Sequence, residues 1–478
     1  MRRRAGYARL TAPTRLDASV VPFEPVTVPP LAEDELGLPG PSIGEPVVRA
    51  ERHPFRALKR REFRLLFSAY AIGDVGFWIS HISLQSEMAR VTDNSSIWLG
   101  VLFFTTFLPM LLFAPAAGVI ADRVDRKRLL VVTRALVGVV AAILAALVLA
   151  ELAGDAVLAL FGFVIGTLFA FMAPAQQAAT ANSVPSDDLT SAISLQSAGN
   201  NLSRIAGPAL AAPILAAWGA GWAFAIYAAS NVLMVLTLVP IRLTSRLDTN
   251  EEGTPWERWK EGLRHARSRP PAIGALVTMS VFSMFGVAQV ALYPVFTTDV
   301  LGHPRDDFTY LVIASGVGAV VGALSTAFRR SVPTLRIAAM YVVVYGVAAL
   351  AFALSESWEL SLALLTIVGF CYFSTTTSIN TLLQHLADDD KRGRMMALFT
   401  VTWAGLIPFG GIWMGAVADV GGAPLAVGIG ASVCAAFAAV VVVRGGVGWR
   451  PSTRERTAAG RVSRPAVSDP DQATEPPR

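Results

Sequence analysis

The stretch Gly118-Val-Ile-Ala-Asp122-Arg123-Val-Asp125-Arg126-Lys127-Arg128 sets the reading of the whole chain. An apolar run reaches back from it to about residue 96, and another runs forward to about residue 151. Each is long enough to cross roughly 30 Å of hydrocarbon as a helix. A short loop dense in charge between them predicts two membrane spans turning at one surface. The same alternation continues outward. Apolar runs predict spans near 63–89, 96–121, 128–151, 156–181, 190–217 and 220–241. Six more follow near 271–300, 308–328, 333–354, 358–386, 394–419 and 423–444.

Composition agrees. Of 478 residues, 53% are hydrophobic and 16% charged, with mean hydropathy +0.52. Soluble domains carry about 25% charge. Soluble enzymes and nucleic-acid binders are excluded on this ground, and no nucleic-acid partner is expected. The formal charge of +5 collects in loops and tails, where cations orient spans. With the N-terminus inside, the inner loops and adjoining helix ends carry 17 Lys and Arg, against Arg90 and Arg305 outside. Both termini are therefore expected in the cytoplasm, with the chain in the cell (inner or plasma) membrane and lipid around it.

The expected organisation has five parts. Residues 1–62 and 447–478 read as disordered tails. Residues 63–241 and 271–446 form two six-helix bundles, and 242–270 link them. In the linker, Trp256, Trp259, Leu263 and Ala266 recur every three or four residues among Arg258, Lys260, Arg264 and Arg267. This spacing predicts a basic amphipathic helix on the inner membrane surface, or else a soluble linker helix. The halves carry a weak internal repeat: Gly118 ends span 2 as Gly322 ends span 8, each before a basic cluster.

Several chemistries are absent. None of the four lysines precedes Ser or Thr, so there is no phosphate-binding loop and energy must come from a gradient. Cys371 and Cys434 stand alone in apolar runs. No metal, cofactor or enzymatic activity is expected. A polytopic membrane enzyme would need clustered His, Asp or Ser at one interface, and the five histidines are scattered.

At this point the residues resemble a known family. The Gly118–Arg128 stretch is similar to the signature inner loop of the major facilitator superfamily, with Asp125 where the commonest form has Gly. Gly199-Asn-Asn-Leu-Ser-Arg204-Ile-Ala-Gly207-Pro208 in span 5 resembles the antiporter motif, although Ala211-Ala212 replace its glycine pair. Pro174-Ala-Gln-Gln177 and Arg392-Gly393-Arg394 match the twelve-span drug and siderophore exporter branch. The resemblance covers about 55–445. It implies an all-α fold of twelve transmembrane helices in two pseudo-symmetric six-helix bundles, acting by alternating access as a monomer. The implied function is proton-coupled efflux of a small amphipathic organic compound (a drug, siderophore or secondary metabolite). A proton-coupled metabolite importer is the alternative, and the coupling ion could be another cation.

The candidate residues follow. Gly118, Asp122, Arg123, Asp125, Arg126 and Lys127 form the inner gate. Asp122 would meet the positive N-terminal end of span 11, while Arg123 and Arg126 would add salt bridges or simply orient the chain. Asp74 and Arg204 lie deep in spans 1 and 5, which the family fold sets side by side. A mid-membrane charge costs at least about 2.5–3.5 kcal/mol unless it is paired or faces a cavity. An Asp74–Arg204 pair is expected, either carrying the proton or permanently fixing two helices. Glu87 reads as a solvated interfacial carboxylate. His81 reads as a structural, hydrogen-bonded group, with a proton relay as the alternative. Gly199, Gly207 and Pro208 mark the antiporter-like segment. The implied cavity on central spans is lined by Gln177, Phe285, Gln289, Tyr293, Tyr372, Thr377, Asn380 and Gln384.

Overall fold

The computed structural model describes residues 55–241, 255–329, 331–388 and 391–444. Most of the expected tails and linker residues 242–254 lie outside the described residues, as do the side chains of Gly118, Asp122, Arg123, Trp256, Arg258 and Trp259.

The described chain is helical throughout its spans. Helices α1 (Arg61–Val91), α2 (Ser96–Arg123), α3 (Arg126–Leu149) and α4 (Asp155–Asn182) form spans 1 to 4. Helix α5 (Leu189–Leu238) is 50 residues long, about twice what one crossing needs. It is two spans joined at Gly219, whose φ of 77° and ψ of 177° break the helix. That conformation is open to glycine almost alone. The expected boundary between spans 5 and 6 fell on this residue. Exposed Trp218 and Trp222 flank the break, as aromatic side chains do at a membrane–water interface.

Span 7 is segmented: α7 (Pro270–Phe285), a 3-10 stretch Val287–Leu292, the three-residue α8 (Tyr293–Val295) and a π turn Phe296–Val300. Two causes are visible. Pro294 has no N–H for the carbonyl of Val290, and the Gly286 carbonyl accepts instead from the Tyr345 hydroxyl at 2.8 Å. Helices α9 (Phe308–Ala327), α10 (Leu335–Ala353) and α11 (Trp358–Leu386) are spans 8 to 10. Span 11 is α12 (Arg392–Trp403) and α13 (Ile407–Gly421), interrupted ahead of Pro408, and span 12 is α14 (Ala423–Arg444). Twelve crossings bring the described chain back to the face where it began, called here the terminal face; the opposite one is the distal face.

Two expectations change. The ordered chain begins before residue 63. Residues Arg56–Lys59 form a 3-10 turn, with Ala57 buried and its N–H donating to Ser191 Oγ at 3.2 Å. Arg56 and Arg60 both bind the buried carboxylate of Asp188, at 2.7 and 3.0 Å. The linker helix α6 (Pro255–Arg267) is present but docks on protein. Gly262, His265 and Ala266 are buried. A methyl at Gly262 would lie 3.1 Å from the Arg394 carbonyl, and Arg394 binds Glu261 at 2.7 Å. The face expected to meet lipid thus meets span 11 over its described part, because small residues there allow backbone contact.

The break at Gly219 sets the length of two spans, which gives a direct test. Gly219→Ala is expected to cost about 1–3 kcal/mol, read as a lower thermal-unfolding midpoint in detergent. Gly154→Ala, at an ordinary φ of −85° with no atom within 4 Å of the added methyl, loses only the N-cap preference of glycine and should lower the midpoint less.

Candidate functional site

The signature loop is built locally. Asp125 is the N-cap of α3, its Oδ1 accepting from the Arg128 N–H at 2.7 Å. An Asp therefore performs at this turn a task that glycine performs less well. Lys127 donates to the Val239 carbonyl at 2.6 Å, tying the start of span 3 to the end of span 6. Arg126 is the first residue of α3. A methyl at Gly393, beside the start of span 11, would meet open space.

The antiporter-like segment is a packing surface. A methyl at Gly199 would lie 3.1 Å from Phe67, and one at Gly207 would collide with Trp78. Both contacts are to span 1, and Pro208 is buried beside them. Span 5 therefore lies against span 1 as expected, closely enough that side chains there would push the helices apart.

The expected Asp74–Arg204 pair is not the one formed. Asp74 binds Arg134 of span 3, with 4.0 Å between Nη2 and Oδ1. The Arg134 side chain is 1% exposed and that of Asp74 15%. The Asp74 carboxylate also accepts from the side chains of Gln176 in span 4 and Asn200 in span 5. Arg134 donates to Gln176 Oε1 at 3.3 Å, and the Tyr70 hydroxyl approaches the Gln176 carbonyl at 3.4 Å. Gly73 makes room: a methyl there would lie 3.1 Å from Arg134 and 2.7 Å from Met234. Asn200 is exposed and Gln176 half-buried, so the pair sits at the edge of the bundle interior. Arg134 was missed in the sequence, where it stands alone in Val-Val-Thr-Arg134-Ala-Leu. Its distance from both ends of span 3 was the available signal.

Arg204 takes a different position. Its guanidinium carbon lies 5.5 Å from the Trp78 ring of span 1 and 5.3 Å from the Tyr372 ring of span 10. Such contacts attract a cation to the ring face. Because Tyr372 belongs to the second bundle, Arg204 joins the two halves. The Tyr372 hydroxyl accepts from Trp403 Nε1 at 3.2 Å.

The cavity candidates divide. On span 10, Tyr372, Thr377 and Asn380 are half-buried and Gln384 exposed, with Gln384 Nε2 donating to Asn380 Oδ1 at 2.6 Å. Gln177 is exposed on span 4. On span 7, Gln289 and Tyr293 are buried inside their own bundle, Tyr293 edge-on to Phe352 of span 9. The 3-10 stretch at Val287–Leu292 interrupts the regular helix on which they were placed. Phe285 packs on Trp413 of span 11, rings 5.3 Å apart. One further correction concerns span 1. Glu87 is buried and holds Arg90 through two bonds, 2.6 and 2.9 Å. His81 borders a small cavity with Phe77, Ser80 and Thr106, its Nε2 lying 3.2 Å from Gln85 Nε2.

Among the described residues, the hydrogen bonds joining the two bundles lie at the distal face. Ser86 donates to Asp306 at 2.5 Å, Asn94 Nδ2 to Thr298 at 3.0 Å, and Arg305 Nε to Asn94 Oδ1 at 3.0 Å. Spans 2 and 11 close the same half: a methyl at Gly100 would lie 2.5 Å from the Gly411 carbonyl, and one at Gly415 2.6 Å from that of Ser96. The terminal-face ion pairs described above each stay within one half. Among the described residues, the hydrogen bonds between the two halves are thus those of the distal face.

Twelve spans in two halves that meet around mid-depth charges and polar groups are the architecture of a membrane transporter. The family described as "Transmembrane secretion effector", a major facilitator family, matches residues 52–465, and the chain belongs to it. It is a multi-pass transporter of the cell membrane, similar to efflux and siderophore transporters. The staphyloferrin A transporter of Staphylococcus aureus is 26% identical over 367 residues, covering 75% of this chain and 90% of the relative. Macrolide efflux protein A of Streptococcus pyogenes is 25% identical over 265 residues, 55% of this chain and 65% of that protein. Two solved structures share the fold at lower identity. A bacterial homologue of the lysosomal transporter Spinster has a TM-score of 0.64 at 14% identity, covering 84% of this chain and 99% of its own. The nucleoside transporter NupG has a TM-score of 0.64 at 13% identity, with 80% and 98% covered.

The distal contacts predict a shift on weakening. Asn94→Ala removes two hydrogen bonds, together about 1–3 kcal/mol. Maleimide labelling of Val290→Cys, a side chain packed at the contact with Phe103, should then be faster from the distal face. The comparison would be made with Cys371 and Cys434 replaced.

Proposed function

We propose that this transporter expels a small amphipathic organic compound by alternating access, driven by protons entering in exchange. Asp74 is the proton-carrying group and Arg134 its counter-charge. The observation that carries the reading is the mid-depth Asp74–Arg134 pair. It is sealed on the Arg134 side, while exposed Asn200 gives the carboxylate an edge toward water.

The step balances simply. A proton arriving from the high-proton side adds to a carboxylate oxygen of Asp74 and removes the ionic attraction to Arg134. Arg134 is then a buried cation without a full partner, which is costly in a low-dielectric interior. Spans 1 and 3 shift to relieve it, and the proton leaves Asp74 on the other side as the pair re-forms. The Lys and Arg asymmetry supports cytoplasmic termini, which makes the distal face external in this reading. One twelve-span chain forms a whole pathway, so the working unit is a monomer. The partial antiporter motif and the macrolide efflux relative favour export over import.

The test is energised accumulation of a mixed panel of dyes, antibiotics and siderophores in an efflux-deficient host. Wild type should lower accumulation, and protonophore should abolish the difference. Asp74→Asn should return accumulation to the empty-vector level at equal membrane expression. Arg134→Leu leaves a lone buried carboxylate and should cost about 3–5 kcal/mol in stability. Asp74→Asn with Arg134→Gln should recover folded protein without recovering transport. Undiminished, protonophore-sensitive efflux by Asp74→Asn would remove Asp74 from the coupling step.

A further inference from the structure

Among the described residues, Asp, Glu, Lys and Arg lie more than about two turns from a span's end at three places only: Asp74, Arg134 and Arg204. Two cations against one carboxylate leave the interior with an excess positive charge. Asp74 is engaged by Arg134. The excess therefore resides on Arg204, which has no carboxylate partner among the described residues.

Its setting is specific. Arg204 is fifteen residues from the start of α5 and fifteen from Gly219. Tyr372 is fourteen from either end of α11, and Trp78 is close to the middle of α1. All three meet at mid-depth. The flanking rings attract the cation but accept no in-plane hydrogen bond from its N–H groups. The Tyr372 hydroxyl is already an acceptor for Trp403. Arg204 is half-buried, so part of the guanidinium stays open to a ligand. A planar guanidinium with unfilled donors matches a carboxylate or another planar or tetrahedral oxyanion.

We infer that the transported molecule is an organic anion: its oxyanion group binds Arg204 and its apolar body packs on Trp78 and Tyr372. This inference rests on the transport reading above and adds the substrate's charge to it. A cationic amphiphile would put a third positive charge at mid-depth beside two others. A neutral one would leave the Arg204 donors unfilled.

Binding to the purified full chain in detergent, measured by calorimetry, tests the idea with three probes of one shape: 2-naphthoate, 2-naphthylmethanol and 2-naphthylmethylammonium. Wild type should bind the naphthoate about tenfold or more tighter than the alcohol, and the ammonium most weakly. Arg204→Gln should bring the naphthoate down to the affinity of the alcohol, and Arg204→Lys should keep part of the preference. Tyr372→Leu should weaken naphthoate and alcohol alike. Equal binding of the three, preference for the ammonium, or no binding of any at millimolar concentration would overturn the inference. The wild-type series decides even where the Arg204 variants fail to fold. Efflux of neutral or cationic dyes without any anion preference would keep the transport reading and discard this one.

Discussion

A carboxylate and a guanidinium in the middle of a membrane must find each other, and the Asp74–Arg134 pair is where this protein meets that demand. Neither group is tolerable alone at such depth, because no water replaces the missing partner. The pair therefore fixes how spans 1 and 3 lie, and the second layer follows from it. Gln176 serves both ions, Asn200 bonds the carboxylate from span 5, and Gly73 gives up a side chain so that Arg134 fits. Four helices of the first bundle are thereby held in one arrangement by a few polar atoms, with Met234 of span 6 packed against the same glycine. The same economy makes the site sensitive to a single proton, since among the described residues no other carboxylate lies at this depth to take over.

Apolar packing cannot choose among helix arrangements in lipid as it does in water, since lipid tails are as apolar as leucine. Here glycine makes the choice. Gly207 brings Trp78 against span 5, and Gly100, Gly411 and Gly415 bring spans 2 and 11 to backbone contact in the distal half. Such backbone contacts have little to lose on sliding, and beside them Phe103 packs with Ala291 and Ile407 across the same seam. The distal hydrogen bonds among Asn94, Thr298 and Arg305 are few, and Arg305 is the one charged group among these three. A seal of this kind holds the halves together and still releases them for a modest cost.

Much of this was legible in sequence because it depends on period and length. Twelve apolar runs, the charged turn at Gly118–Arg128 and the break at Gly219 are one-dimensional features. The partner of Asp74 was not legible. Pairing between spans depends on how each helix is rotated about its axis, and a single Arg134 in an apolar run carries no phase. The burial of Gln289 and Tyr293 was not legible for a related reason. Their spacing is helical, but Pro294 and the Tyr345–Gly286 hydrogen bond change the local helix type, and both side chains turn into their own bundle. Gln384 and Asn380, on an unbroken helix, sit half-buried or exposed on span 10. Asp125 was read as a tolerated departure from a family pattern; its capping bond gives the substitution a physical reason.

Arg204 connects these levels. Its rings come from different bundles, and Trp78 is locked to span 5 by Gly207, whereas Tyr372 is carried by span 10. Any rocking of one bundle against the other therefore preserves the first contact and strains the second. A group bound to the Arg204 guanidinium while both rings are in place is held by the two halves at once. When the halves part at the distal face, Tyr372 must either follow Arg204 or leave it, and the second costs the cation a neighbour it cannot replace from lipid. In the proposed cycle an anion on Arg204 removes that cost by neutralising the charge, so the loaded protein can open where the empty one resists. The midplane cation thereby links occupancy to movement without direct contact with Asp74, and the proton on Asp74 supplies the second, independent condition that an exchanger requires.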